Sequence, residues 1–142
     1  MTDEPTVRSA IAARIASIGA PWSESAFQAD MTGRDPSTIQ HGCFSVDMPS
    51  SQNVGERSKT VIMVRPQVVV RFCWSIKPLD QVESYSDAQT SELLLLRTLL
   101  PDVWTGDFRL LWASSVRRTL DDGVYRLVEM TFNAQFYLSL ES

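Results

Sequence analysis

The stretch DFRLLWASSVRRTLDDGVYRLVEMTFNAQFYLSL, residues 107–140, decides the fold. In its second half Val128, Met130, Phe132, Ala134, Phe136, Leu138 and Leu140 alternate with Glu129, Thr131, Asn133, Gln135 and Ser139. Successive strand side chains point to opposite faces. This period of two therefore predicts a long strand with one face on a core and the other polar. A partner strand is expected over residues 108–119, and Asp121-Asp122-Gly123 between the two carries turn chemistry.

The register of this hairpin follows from its apolar matches. A two-residue Asp122-Gly123 turn sets Val116 opposite Glu129 and Trp112 opposite Asn133, a poor pairing. A three-residue loop, with Gly123 left-handed in a G1 bulge, sets Val116 against Val128, Trp112 against Phe132 and Phe108 against Phe136. Cross-strand apolar pairs are worth a few tenths to about 1 kcal/mol each, and a slip of one flips a whole face. The three-residue loop is the expected solution. It also places Arg118 opposite Arg126 with Arg117 beside them, a like-charge cluster that Asp121 and Asp122 can offset.

Length adds a second inference. A straight run over residues 124–140 spans roughly 55 Å at about 3.3 Å per residue. A compact chain of this size has a radius of gyration of roughly 14 Å, hence a diameter near 40 Å. The hairpin is expected to bend or to project, and a projecting hairpin needs a neighbour to project onto.

Composition supports a single soluble domain over residues 1–142: 44% of residues are hydrophobic, 21% are charged, and no apolar run approaches the roughly 20 residues of a membrane helix. The opening Met1-Thr2-Asp3-Glu4-Pro5 is acidic and has no apolar core of a secretory signal, so a cytoplasmic site of synthesis and assembly is expected. A net charge of −4 argues against sequence-independent nucleic-acid binding, which needs clustered cations. Eleven of the thirteen basic side chains are arginine, a residue enriched at protein interfaces, although genomic base composition produces the same skew.

Upstream, Val7, Ile11, Ile15 and Ile18 form one stripe of a helix over residues 6–18, begun by Thr2-Asp3-Glu4-Pro5 and stopped by Gly19 and Pro21. The segment 20–38 is irregular, with Trp22 and Phe27 tucked onto the core edge. Residues 39–48 read as a strand, and 49–58 as a polar loop suited to a partner contact, with Glu56 and Arg57 its charged members. Residues 59–76 hold two β-branched runs divided by Pro66, a residue that marks an edge, bulge or bend. A second helix candidate runs from Pro78 towards Leu100. Its clearest start is Ser86 with a Ser86/Gln89 capping box, residues 79–85 being a preceding turn or short helix, and it buries Ala88, Leu93, Leu96 and Leu99 or Leu100 before Pro101. The element order predicts an α+β fold: a mostly antiparallel sheet with a long C-terminal hairpin and helices packed on one face.

Catalytic chemistry is not expected. His41 is the sole histidine, Cys43 and Cys73 lie in apolar strand-like runs as buried thiols, and these three lack a fourth ligand at zinc spacing. The Asp121-Asp122 pair belongs to a turn, and His41 is a surface or capping imidazole. No cofactor is expected and no residue is nominated for catalysis.

The helix, strand, variable loop, Val70-Arg71-Phe72-Cys73-Trp74-Ser75 strand, helix and terminal hairpin (Arg117–Gly123, then Met130–Tyr137) resemble the tail-terminator proteins of long-tailed bacteriophages. The likeness covers most of the chain in element order and strand character. It implies a virion subunit that forms a hexameric ring, caps the tail tube and joins it to head–neck connector proteins, with DNA only passing through the lumen. On this resemblance Arg117, Arg118, Asp121, Asp122 and Arg126 at the hairpin tip, with Glu56 and Arg57, are the interface residues. Glu129, Thr131, Asn133 and Gln135 are candidates to face the lumen. Another phage neck or tail adaptor, or a small-molecule-binding α+β domain, are the alternatives.

Overall fold

The computed structural model describes residues 2–25, 41–100, 108–120 and 124–141. Expectations for Phe27, Pro101, Asp121, Asp122 and a left-handed Gly123 lie outside the described residues. The elements run α1 (Glu4–Ala16), β1 (Ser23–Glu24), β2 (Cys43–Glu56), β3 (Val61–Ser75), α2 (Gln81–Leu99), β4 (Arg109–Thr119) and β5 (Tyr125–Ser139). The strands form one sheet in the order β1-β2-β3-β5-β4. Only β1 pairs in parallel, with β2; the other pairs are antiparallel. The fold is α+β, as the alternating strand patterns predict.

Helix α1 buries Val7, Ile11 and Ile15 completely, with Ile18 packed on the same core. It starts two residues before the expected Thr6 because Asp3 caps it, accepting the Thr6 amide at 2.8 Å. Hydrogen bonding by Thr6 holds the Asp3 carboxyl below its ordinary value. Pro5 sits in the first turn, where a missing N–H is no loss.

Helix α2 starts at Gln81, within the candidate segment from Pro78, so residues 81–85 are its first turn and Ser86 is not its start. The Ser84 amide bonds the Asp80 carbonyl and its hydroxyl accepts the Lys77 amide, which winds the chain a turn earlier than the Ser86/Gln89 box. The Ser86 carbonyl instead accepts the Thr90 hydroxyl inside the helix. The buried stripe is Ser84, Ala88, Ser91, Glu92, Leu95 and Leu99. Leu93, expected on that face, is 44% exposed, and Leu96 is half-buried at the margin of the core. Two neighbouring features turn the helix this way: small side chains at 84, 88 and 91 on the buried face, and an ionic partner for Glu92 described below.

On the helix-bearing face of the sheet Phe44, Val46, Val68, Val70, Phe72, Val128, Met130 and Phe132 join Leu95 and Leu99 in one core. The α2 helix thus packs onto the face bearing Val128, Met130 and Phe132, as expected. Trp22 closes the margin, its ring 5.1 Å from that of Phe72. On the other face Cys43, Cys73, Leu120 and Leu127 make a smaller cluster with Tyr125, and both cysteines are buried and not joined in a disulfide.

Two segments depart from expectation. The polar run after Met48 is not a loop: β2 continues to Glu56, with register shifts between Asp47 and Ser50 and between Asn53 and Gly55. The first shift accommodates Pro49, which has no N–H for a ladder. Nor does Pro66 divide the next strand. β3 runs through it, Pro66 lies opposite Ser51, and only Arg65 and Pro66 drop out of an otherwise continuous β3–β5 ladder from Val61↔Ser139 to Ser75↔Tyr125. The loss is confined to two positions in a strand bonded on both sides.

The terminal hairpin holds both registers weighed from the sequence. Trp112 lies opposite Phe132, the pairing of the three-residue loop. A shift between Trp112 and Ser114 leaves Ala113 unpaired, after which Val116 faces Glu129 and Thr119 faces Arg126, the offset of the two-residue turn. Arg118 is therefore opposite Leu127 and not opposite Arg126. The bulge lets the base of the hairpin keep its aromatic pair while the tip exchanges faces.

Candidate assembly surfaces

The face exchange places each tip arginine. Arg117 comes to the helix-bearing side, where its Nε and one terminal nitrogen both meet the Glu92 carboxylate at 2.6 Å. Glu92 is 6% exposed and Arg117 40%. This fork-on-carboxylate geometry is the strong form of a charged hydrogen bond, and Glu92 raises the Arg117 pKa further. Arg118 goes to the helix-free side and binds Glu129 at 3.1 Å. Arg126 lies over the Tyr85 ring, 4.8 Å from its centroid, with its Nε buried and without a hydrogen-bond partner. Tyr85 also touches Thr119 through hydroxyl oxygens 3.4 Å apart. The described ends of β4 and β5 are held to α2 through Arg117 and Arg126.

Across the helix-free face a charge ladder links four strands. Asp47 of β2 meets Arg71 of β3 at 3.3 Å, Arg71 meets Glu129 of β5 at 3.5 Å, and Glu129 meets Arg118 of β4. Beyond it lie Thr131, Asn133 and Gln135, whose alternation with the buried residues puts them on this same face. Gln135 accepts from Arg65 at 3.1 Å and donates to the Met63 sulfur at 2.9 Å. Opposite charges alternate along this ladder, while beyond it Arg65 and Arg109 both lie beside Gln135.

The opposite end of the sheet is bare. Residues 50–60, the outer half of the β2–β3 hairpin, are all exposed. Glu56 and Arg57 sit at its tip, and the Arg57 guanidinium lies 5.1 Å from the centroid of the Tyr137 ring. A pocket of about 280 Å³ opens here, lined by Val54, Gly55, Glu56, Arg57, Met63 and Tyr137. At one sheet edge β4 presents Leu111, Trp112 and Val116 largely exposed.

A polar cleft of about 300 Å³ lies between the end of β3 and α2, with His41, Trp74, Lys77, Asp87 and Thr90 in its wall. The His41 Nδ1 accepts the Ser75 amide at 3.0 Å, a capping role, and its ring lies 4.2 Å from that of Trp74. Burial, then Lys77, lowers its pKa, with Asp87 opposing. Among the described residues no cluster of three or more His, Cys, Asp or Glu could hold a metal ion, and no helix is long and apolar enough to cross a membrane.

Glu92 and Arg71 were missed by sequence reasoning. Glu92 stands in Ser91-Glu92-Leu93-Leu94, where charge reads as exposure, yet the spacing 84, 88, 91/92, 95, 99 already marks one continuous helix face. Arg71 alternates with apolar neighbours as a solvated residue would, and its partners come from two other strands.

No family model matches the chain, and no curated protein sequence matches it. Among solved structures it is similar to a chain described as "Virion of native gene transfer agent (GTA) particle". That likeness has a TM-score of 0.51 at 11% identity and covers 93% of this chain and 95% of the other, so the two share a fold from end to end.

Proposed function

We propose that the chain is a phage-like structural virion protein, and more specifically a tail terminator: a subunit of a hexameric ring that caps the tail tube and joins it to the head–neck proteins. The observation that carries this reading is the end-to-end likeness of fold to a chain of a virion particle. The neighbour is similar in fold alone, so the virion location and role of this chain are inferences. No catalytic role is proposed.

Three features support an assembly role. The exposed apolar residues of β4 lie on an edge strand, where an uncovered row of backbone groups is a hazard unless a neighbour meets it. The bare β2–β3 hairpin reaches outward with Glu56 and Arg57 at its tip. The middle of the helix-free face suits a lumen, because Glu129 is neutralised within the charge ladder and Thr131 and Asn133 are uncharged, with Arg65 and Arg109 set at its end beside Gln135. DNA passes that neutral middle without the counterion release that drives sticking. In this arrangement Arg118 meets the neighbouring subunit or the tail tube, with Asp121 and Asp122 proposed beside it, while Arg117 and Arg126 hold this end of the hairpin to α2.

The test is a structure of the assembled particle. Six copies around the tail axis, with contacts through β4 and the two hairpins, is the expected result. A single copy per particle, or hairpins touching only solvent there, overturns the ring mechanism. Arg118→Glu, at the half-exposed arginine, is expected to leave folding intact and to block completion of infectious tails, whereas changing Arg117 or Arg126 would also disturb their contacts with α2. A small-molecule-binding role is favoured only by the cleft beside His41, and its polar wall differs from the mostly apolar lining of such sites.

A further inference from the structure

Two exposed apolar features sit at opposite ends of the long sheet. At one end the turn after β3 and the first turn of α2 carry Leu79 and Val82, 98% and 87% exposed. Large aliphatic side chains so nearly bare form a knob that the fold of one chain does not use. At the other end is the pocket between the tip of the β2–β3 hairpin and the end of β5, walled by Val54, Met63 and Tyr137. Its volume of about 280 Å³ lies just below the roughly 300–1,000 Å³ of small-molecule sites, a size suited to a plug of one or two side chains.

The charges around these features mirror each other. Asp80 and Glu83 adjoin the knob in sequence, with Lys77 close by, whereas Arg57 and Glu56 line the pocket and Lys59 stands exposed two residues further on in the same turn. Each sign at one end therefore finds its opposite at the other. The β3 strand separates the two ends by roughly 45 Å at about 3.3 Å per residue. A knob cannot reach the pocket of its own chain across that distance. A two-fold pair would seat both knobs at once and stop at the dimer, whereas a single contact per pair leaves one knob and one pocket free to continue.

We infer that Leu79 and Val82 of one copy insert into the Val54/Met63/Tyr137 pocket of a second copy, a head-to-tail contact that Asp80 and Glu83 lock against Arg57 and Lys59. Such a heterologous contact propagates from copy to copy and closes into a ring when its rotation divides the circle. The contact deepens the assembly reading above but stands on these two patches, so it can fail while the virion role survives.

Complementation between two variants tests it on the full chain. Leu79→Asp with Val82→Asp removes the knob, and an acid at position 82 suits the first turn of a helix. Gly55→Phe fills the pocket, and a Cβ at Gly55 meets nothing within 4 Å, so the fold accommodates it. Tyr137→Asp replaces it should Gly55→Phe fail to fold. Circular dichroism and melting confirm that each variant is folded before sedimentation is read.

The wild-type chain is expected to sediment as assemblies larger than a monomer that grow with concentration. Each variant alone is expected to lose at least tenfold in self-association, and an equal mixture of the two to form a dimer and stop there. The mixture retains one intact knob and one intact pocket. A wild-type chain that stays monomeric at its highest soluble concentration overturns the inference. So does a variant that assembles like wild type, or a mixture that stays monomeric. In the first case a particle structure still decides whether the chain is a virion subunit.

Discussion

The two ends of the sheet are built from the same long strands and behave as opposites. At the β4–β5 tip, α2 lies over the strands, Glu92 grips Arg117, and Tyr85 covers Arg126. At the β2–β3 tip no residue from 50 to 60 is buried, and Arg57 over Tyr137 and the Leu140 amide on the Thr60 carbonyl are its contacts with the end of the chain. Strand length alone pointed to the C-terminal hairpin as the projecting element. Helix coverage reverses that assignment: β5 does not break, but its turn end is docked and its C-terminal end shares the bare region with β2 and β3. The lesson is that a strand projects where no layer packs against it, whatever its length.

If coverage makes the difference, the core beneath the helices should be the most sensitive place to cut. Leu95→Ala is expected to lose about 2–5 kcal/mol, because a fully buried side chain is removed from a packed interior. Leu96→Ala, at the margin, should lose distinctly less. Equal losses in denaturant melts would mean the helix is rotated from its described face.

Next in size is the docked tip. Arg117→Met leaves the buried Glu92 carboxylate without its partner and is expected to cost about 1–3 kcal/mol, reduced by the solvent that reaches the arginine. Arg57→Ala at the bare end should change stability by less than about 0.5 kcal/mol. Comparable losses from Arg117→Met and Arg57→Ala would break the contrast between the ends.

A pH titration sharpens it. The folded value of His41 lies below its ordinary 6.5, chiefly through burial and then Lys77. As pH falls through the unfolded value of about 6.5, the unfolded chain takes up a proton that the folded chain resists. Stability should therefore fall as pH drops from that point to the lower folded value, and should not change from this source above about pH 7.5. Protonation also fills the Nδ1 lone pair that accepts the Ser75 amide. His41→Asn should remove this component of the pH dependence, and an unchanged slope would show that another group titrates.

The smallest expected effect is dynamic. Amides of β3 near Val68–Phe72, under both helices, should exchange with deuterium at the slowest rates, and those of residues 50–56 should exchange orders of magnitude faster despite being in a strand. Equal protection along β2 in the isolated chain would point to cover from a second copy, which the sedimentation experiment would then detect.

Much of this architecture was legible from residues alone. The period of two over 128–140, the stripe Val7-Ile11-Ile15 and the pairing of Trp112 with Phe132 are local patterns, and each was realised in the fold. So was the placing of the helices on the apolar face of the hairpin. These features depend on neighbours a few residues away or on a face already written into the strand, so composition and spacing carry them.

What tertiary structure decided was the choice among locally acceptable states. Pro49 and Pro66 looked like breaks, yet neighbouring strands supply enough ladder bonds and core contacts to carry β2 and β3 past them. Ser86 with Gln89 is a sound helix start in isolation, but Asp80 and Ser84 offer an earlier one that brings Ala88, Ser91 and Leu95 onto the core. At the hairpin tip, residues 107–140 alone favoured matching Val116 with Val128. The bulge at Ala113 gives up that match and sends Arg117 to Glu92 and Arg118 to Glu129, on opposite faces. A buried carboxylate left without a partner costs more than one exposed valine pairing is worth. That carboxylate belongs to a helix more than twenty residues upstream, so the register at the tip could be settled only once the helix had packed.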